Sequence, residues 1–214
     1  MKPATGFFLV IDGIDGSGKS TQTKRLVKYF SDQGIQTHYT AEPSKGKVGV
    51  ILRDYLQNPS TPAALDALLF AADRVDHCTS EIMPLLQQGV LVISDRYRLS
   101  SYVYQSVQGE TQGLSLEWIK NINTFSLTPD LTIILDLSPE VALSRKVAQT
   151  THENHALEKF EHIDFQKKIR EKFLNISSSL VQNVEIVDAE GDIESIFQNI
   201  VQIVSSHLGK KKER

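Results

Sequence analysis

The stretch Gly13-Ile14-Asp15-Gly16-Ser17-Gly18-Lys19-Ser20 fits G-x-x-x-x-G-K-[ST], the pattern of a phosphate-binding loop. It demands a strand before it and a helix after it, and both are written in the chain. Phe7-Phe8-Leu9-Val10-Ile11 is a short apolar run that reads as a buried parallel strand. Thr21 to Phe30 follows with helical periodicity, carrying Leu26, Val27 and Phe30 on one side. Gly16 and Gly18 admit backbone angles closed to other residues, so successive N–H groups can turn inward around phosphate oxygens. The helix beginning near Lys19 adds the positive end of its dipole. Lys19 is placed to reach the β and γ phosphates, and Ser20 to ligate Mg²⁺. The pattern implies that ATP or another nucleoside triphosphate binds through Gly13, Asp15, Gly16, Ser17, Gly18, Lys19, Ser20 and Thr21. It leaves the acceptor of the phosphate open.

The 214 residues suffice for one α/β core and do not require a second domain. A formal net charge of −3 gives no reason to expect nucleic-acid binding. The basic run Lys210-Lys211-Lys212 reads as part of a solvated tail over 209–214, after a single domain over 1–208. One cysteine, Cys78, rules out an intrachain disulfide and suits a reducing compartment. No apolar run approaches the ~20 residues that span a bilayer. The N-terminus leads into a core strand without a signal-peptide pattern, so the chain reads as cytoplasmic, with no membrane partner.

Strand and helix alternate along the rest of the sequence. Strands are expected at Gln36–Ala41, Val90–Ser94, Leu131–Leu137 and Val184–Val187. Helices are expected at Val48–Leu56, Ala63–Gln88 (kinked or shortened by Pro84), Arg98–Gln105, Leu116–Phe125, Pro139–Val147, Ile163–Leu180 and Ile193–Leu208, with a loop at Val107–Gly113. Five strands each followed by helix make an α/β fold, a parallel sheet flanked by helices. Ligands in such sheets sit beyond the carboxyl ends of the strands, so Glu42-Pro43 and Asp95-Arg96-Tyr97 are expected to converge on the phosphate loop. Asp95 at a strand end can serve Mg²⁺ or cap a turn. Arg96 can clamp a phosphate. Phe70 and Arg74, four apart on one helix, can stack on a base and bond its edge, although spacing alone favours a core Phe beside a surface ion pair. Arg53 is a further phosphate ligand or a solvated arginine.

With these segments the chain resembles the thymidylate kinase family. The match runs through Ile11–Gln22, Glu42-Pro43, Leu69-Phe70-Ala71-Ala72-Asp73-Arg74, Ser94-Asp95-Arg96-Tyr97, Ser100, Tyr104-Gln105, Pro129–Thr132 and Leu135–Glu140, spanning residue 7 to about residue 190. The resemblance implies a nucleoside monophosphate kinase fold with a mobile lid at about 148–162. It implies ATP- and Mg²⁺-dependent conversion of dTMP to dTDP in a homodimer. Among the matching positions, Phe70 would stack on thymine and Arg74 would bond its exocyclic oxygen. Arg96 and Arg53 would hold the dTMP phosphate, and Asp15 the 3′-hydroxyl or a metal-bound water. Tyr104 would crowd the sugar 2′ position, Glu42, Ser101 and Gln105 would line the acceptor pocket, and Asp95 would serve Mg²⁺.

The chain departs from the family's pattern at one point. Family members supply an arginine to the transferring phosphate from the loop, where Gly16 stands here, or from the lid, where Gln149 stands. Arg145, with Lys146 beside it, is therefore the expected transition-state cation, and Lys159 a weaker substitute lacking the guanidinium fork. His152, His155 and His162 crowd the lid without a zinc-ligand spacing and read as solvated residues. Two other functions fit the loop: a kinase of another nucleoside monophosphate or nucleoside, and a nucleotide-binding regulator that has lost transfer.

Overall fold

The computed structural model describes residues 6–58, 61–149, 163–180 and 183–212. Its first strand, β1 (Phe7–Gly13), is buried along its whole length. The pleat sends Phe7, Leu9 and Ile11 into the larger of two cores, and Phe8 and Val10 into the smaller. A strand apolar on both faces belongs in the middle of a sheet covered on both sides. That is where β1 lies, in the parallel order β2-β3-β1-β4-β5, with β2 (Thr37–Ala41), β3 (Leu91–Asp95), β4 (Leu131–Asp136) and β5 (Val184–Asp188). The register sets Ile11 beside Asp95 and Asp95 beside Ala41, so three strand ends open onto one crevice.

The helices are α1 (Lys19–Asp32), α2 (Lys47–Leu56), α3 (Ala63–His77), α4 (Met83–Gln87), α5 (Arg98–Gln108), α6 (Leu116–Ile122), α7 (Pro139–Gln149), α8 (Ile163–Leu180) and α9 (Ile193–Lys212). The helix expected over Ala63–Gln88 is interrupted by a wide π turn at Cys78–Ile82. Pro84 lacks the N–H that would have closed an ordinary turn onto Ser80, and the chain enters α4 with that proline in its first turn. The loop expected at Val107–Gly113 is shorter, because α5 runs on to Gln108 and Glu110–Gln112 forms a 3₁₀ turn. The helix expected to reach Phe125 stops at Ile122, capped by Asn123, and leaves Phe125 84% exposed.

The basic tail also needs correction. α9 does not end at Leu208 but continues to Lys212. Lys211 lies across the Phe7 ring, and its Nζ donates to Gly6 O and Asp130 Oδ1, both at 2.7 Å. A lysine that buries its stem while bonding two acceptors is docked, not solvated. Among the described residues no helix is long and apolar enough to cross a membrane.

Candidate active site

A cavity of about 460 Å³ opens beyond the ends of β1, β2 and β3. Asp15, Gly16, Gly18, Lys19, Ser20 and Thr21 form one wall, and Glu42, Phe70, Ser101, Tyr104 and Gln105 the other. Asp95, Arg96 and Arg145 stand between them. Gly13, Ser17, Arg53 and Arg74 are not on its lining.

The loop has the backbone its sequence demands. Gly16 and Gly18 take φ of 83° and 92°, and α1 starts at Gly18 with no side-chain cap on its N–H groups. Those donors face the cavity end of the helix, where an anion can accept from them. Lys19 Nζ donates to Ile14 O at 2.7 Å and lies 3.9 Å from Asp15. Burial, then the nearby Arg96, push the Lys19 ammonium down to about 8, against the pull of Asp15, Asp95 and Asp12. Ser20 Oγ donates to the Asp95 carboxylate in a short hydrogen bond. A hydroxyl and a carboxylate in contact beside a phosphate cradle are the hard oxygen donors that Mg²⁺ takes.

Gly16 explains why no arginine extends from the loop. A Cβ there would lie 2.7 Å from the backbone oxygen of Ala142 on α7, in addition to the positive φ. α7 therefore packs its backbone on the loop, and Arg145, one turn beyond Ala142, reaches the cavity from the same helix. Arg145 Nη2 makes two long bonds, 3.4 Å to Glu190 O and 3.2 Å to Gly191 O. The side chain of Lys146, and Lys159, His152, His155 and His162 with nearly all of the expected lid, lie outside the described residues.

Across the cavity, Arg96 sits in the left-handed region at φ 69°, where a non-glycine residue is strained. That turn aims its guanidinium back at the loop. Nη2 pairs with Asp15, Nη1 donates to Ser100 Oγ at 3.2 Å, and the group rests 5.1 Å from the centre of the Tyr104 ring. Burial, then Asp15, push the Tyr104 phenol well above its ordinary range, so it stays protonated at physiological pH.

Arg74 is placed differently from the expectation. It is 1% exposed and stands behind the wall rather than on it. Nε and Nη2 both donate to Glu42 Oε2, at 2.8 and 2.6 Å; Nη2 also donates to Ser101 Oγ at 3.0 Å, and Nη1 to Asn123 Oδ1. Glu42 Oε1 faces His77 Nδ1 at 3.3 Å, and the far ring nitrogen meets Thr40 Oγ1 at 2.6 Å. Glu42 lines the cavity yet spends both oxygens on the protein. Arg53 is exposed on α2 and donates to Pro43 O at 2.9 Å, beside the cavity rather than in it. Asn123, His77 and Asp12 were missed in the sequence. Only Asp12, a charge at the end of an apolar strand, carried a local signal.

A phosphate loop after the central strand, a carboxylate at the neighbouring strand end and a separate arginine facing the loop define a P-loop phosphotransferase of the nucleotide-kinase type. The comparisons narrow the class. The thymidylate kinase family model matches residues 11–200, and the chain belongs to that family. It is 37% identical over 209 residues to the probable thymidylate kinase of Staphylothermus marinus, covering 97% of this chain and 99% of that one. It is 37% identical over 211 residues to the thymidylate kinase of Caldicellulosiruptor saccharolyticus, covering 96% and 99%. The thymidylate kinase of Symbiobacterium thermophilum is 36% identical over 210 residues, with 95% of each chain covered.

Proposed function

We propose that the protein transfers the γ-phosphoryl group of ATP to the 5′-phosphate of dTMP, giving dTDP for dTTP synthesis. One observation carries the acceptor assignment. Gln105 Oε1 is buried in the cavity wall with no hydrogen-bond partner among the described residues. One turn earlier, Ser101 Oγ already accepts from Arg74, which leaves its hydroxyl hydrogen to donate. An acceptor beside a donor matches the N3–H and O4 of a pyrimidine dione and opposes the N3 and N4 of cytosine. Phe70 would stack on that base. Arg74 acts from behind the wall by fixing Ser101 and Glu42, and Tyr104 crowds the sugar.

Arg96 holds the acceptor phosphate, with Arg53 at the margin, and Asp15 meets the 3′-hydroxyl or a metal-bound water. Mg²⁺ would be held by Ser20 and Asp95 and would neutralise charge on the triphosphate. Lys19 draws on the β and γ phosphates. The acceptor oxygen attacks in line, so no protein nucleophile is required, and positioned cations supply the catalysis. Arg145 supplies the cation that neither Gly16 nor Gln149 can. Exposed Val50, Ile51 and Tyr55 on α2 and Leu68 on α3 offer an apolar face for a second copy, which sedimentation would reveal as a dimer. A single buried thiol fits the cytoplasm.

The test is turnover with ATP, Mg²⁺ and dTMP, dUMP, dCMP, AMP, GMP or thymidine supplied separately. dTDP should form well ahead of every other product, with dCMP nearly inert. Equal transfer to dCMP would discard the acceptor assignment and leave the phosphate loop standing.

A further inference from the structure

One buried charge has no part in that mechanism. Asp12 lies on β1 immediately before the phosphate loop and is 0% exposed. Its carboxylate crosses to α5: Oδ2 accepts the Ser100 N–H at 3.1 Å, and Oδ1 accepts the Ser100 hydroxyl at 2.7 Å and the Gly13 N–H at 3.0 Å. α5 has no side-chain cap of its own, so Asp12 caps its first turn from another element. Ser100 Oγ accepts in turn from Arg96 Nη1, and Arg96 Nη2 returns to Asp15. The four side chains close a ring from β1 through α5 and Arg96 back to the loop.

We propose that Asp12 is a positioning residue for phosphoryl transfer, which through Ser100 sets Arg96 in register with the phosphate loop. This rests on Arg96 as the acceptor-phosphate ligand. Two features support it. Arg96 sits in a strained backbone conformation that surrounding contacts must hold, and the Asp12–Ser100 bridge supplies one of them. Burial also raises the Asp12 carboxyl above its ordinary range, against the pull of Arg96, the Ser100 hydrogen bond, Lys19 and the Gly13 N–H. A carboxyl raised on folding contributes stability only while it is protonated, and that contribution is lost as pH rises through its folded value. Folding thus works against the charged form, and the carboxyl is set against the Ser100 donors that lead to Arg96.

Asp12→Asn keeps the shape but turns an amide N–H₂ toward donors of Ser100 or Gly13. Its kcat/KM for dTMP should fall at least about tenfold, while KM for ATP changes less than about twofold. Ser100→Ala should lower kcat/KM for dTMP in the same way, and the double variant should be no worse than Asp12→Asn, because both act on one chain of contacts. Unchanged kinetics in Asp12→Asn would overturn the proposal. So would a loss accompanied by a lower melting temperature and adding fully to that of Ser100→Ala, which marks a purely structural role. Should Asp12→Asn fail to fold, Ser100→Ala carries the test alone, and wild-type kinetics there would overturn the proposal. Arg96→Ala is measured beside them. If it leaves dTMP turnover intact, the Arg96 assignment falls and this proposal with it, whereas a crippled Arg96→Ala beside an active Asp12→Asn overturns Asp12 alone.

Discussion

Arg74 stands behind one wall of the cavity, Arg145 lines it from α7, and the two are held in opposite ways. Arg74 is locked between Glu42, Ser101 and Asn123 with almost no exposure. Arg145 is partly exposed and, among the described residues, is held by two long bonds to backbone carbonyls of 190 and 191. On the acceptor side, geometry is fixed before substrate arrives, which avoids ordering costs on binding. On the α7 side the cation can shift at little cost, as the role proposed for Arg145 in transfer requires.

The largest effect that would test this contrast is on stability. Arg74→Ala leaves Glu42 buried beside His77 without its main partner, and breaking such a pair costs about 3–5 kcal/mol. Thermal unfolding should show a large drop in melting temperature; an unmoved one would mean that the acceptor side is not interlocked. Arg145→Ala should instead leave the melting temperature alone and lower kcat about thirtyfold, or about 2 kcal/mol in the barrier. Lys159→Ala should do far less, and equal small effects would remove Arg145 from its role. Phe70→Ala should raise KM for dTMP about tenfold with kcat nearly kept, by loss of ground-state stacking. An unchanged KM would sink the base assignment.

The smallest effect is a proton count. The free Lys19 sits at about 8. A base lowered on folding destabilises the protein as pH falls from its ordinary 10.5 toward that value, so the free protein should gain stability between the two as pH rises. Triphosphate charge favours the ammonium, and ATP binding at pH 8 should take up about half a proton. Calorimetry in buffers of different ionisation enthalpy measures this, and proton release would mean that Lys19 does not meet the phosphates.

The two sides were unequally legible in the sequence. The phosphate loop could be read because its groups are contiguous and its glycines are forced by backbone angle. The five parallel strands could be read because apolar runs and turn residues alternate with helical periods. The acceptor wall could not be assembled this way. Glu42 and Arg74 lie 32 residues apart, and Arg74 and Asn123 lie 49 apart. Periodicity left Arg74 as either a base ligand or half of a surface ion pair, and folding made it a buried scaffold. At the end of α9, a lysine run reads as solvated until folding brings Gly6 and Asp130 within reach as acceptors.

The sequence by itself determined the phosphate loop, the α/β layering and the residue types that can recognise a nucleotide. These follow from short-range rules: backbone angles open to glycine, the missing N–H of proline, and the periods of helix and strand. Tertiary structure alone decided that Arg74 supports the wall rather than forming it, that Gly16 is closed to a side chain by Ala142, and that Asp12 reaches Arg96 through Ser100. Each depends on which distant groups burial brings within about 3 Å of one another, and hydrogen bonds are made or lost at that range.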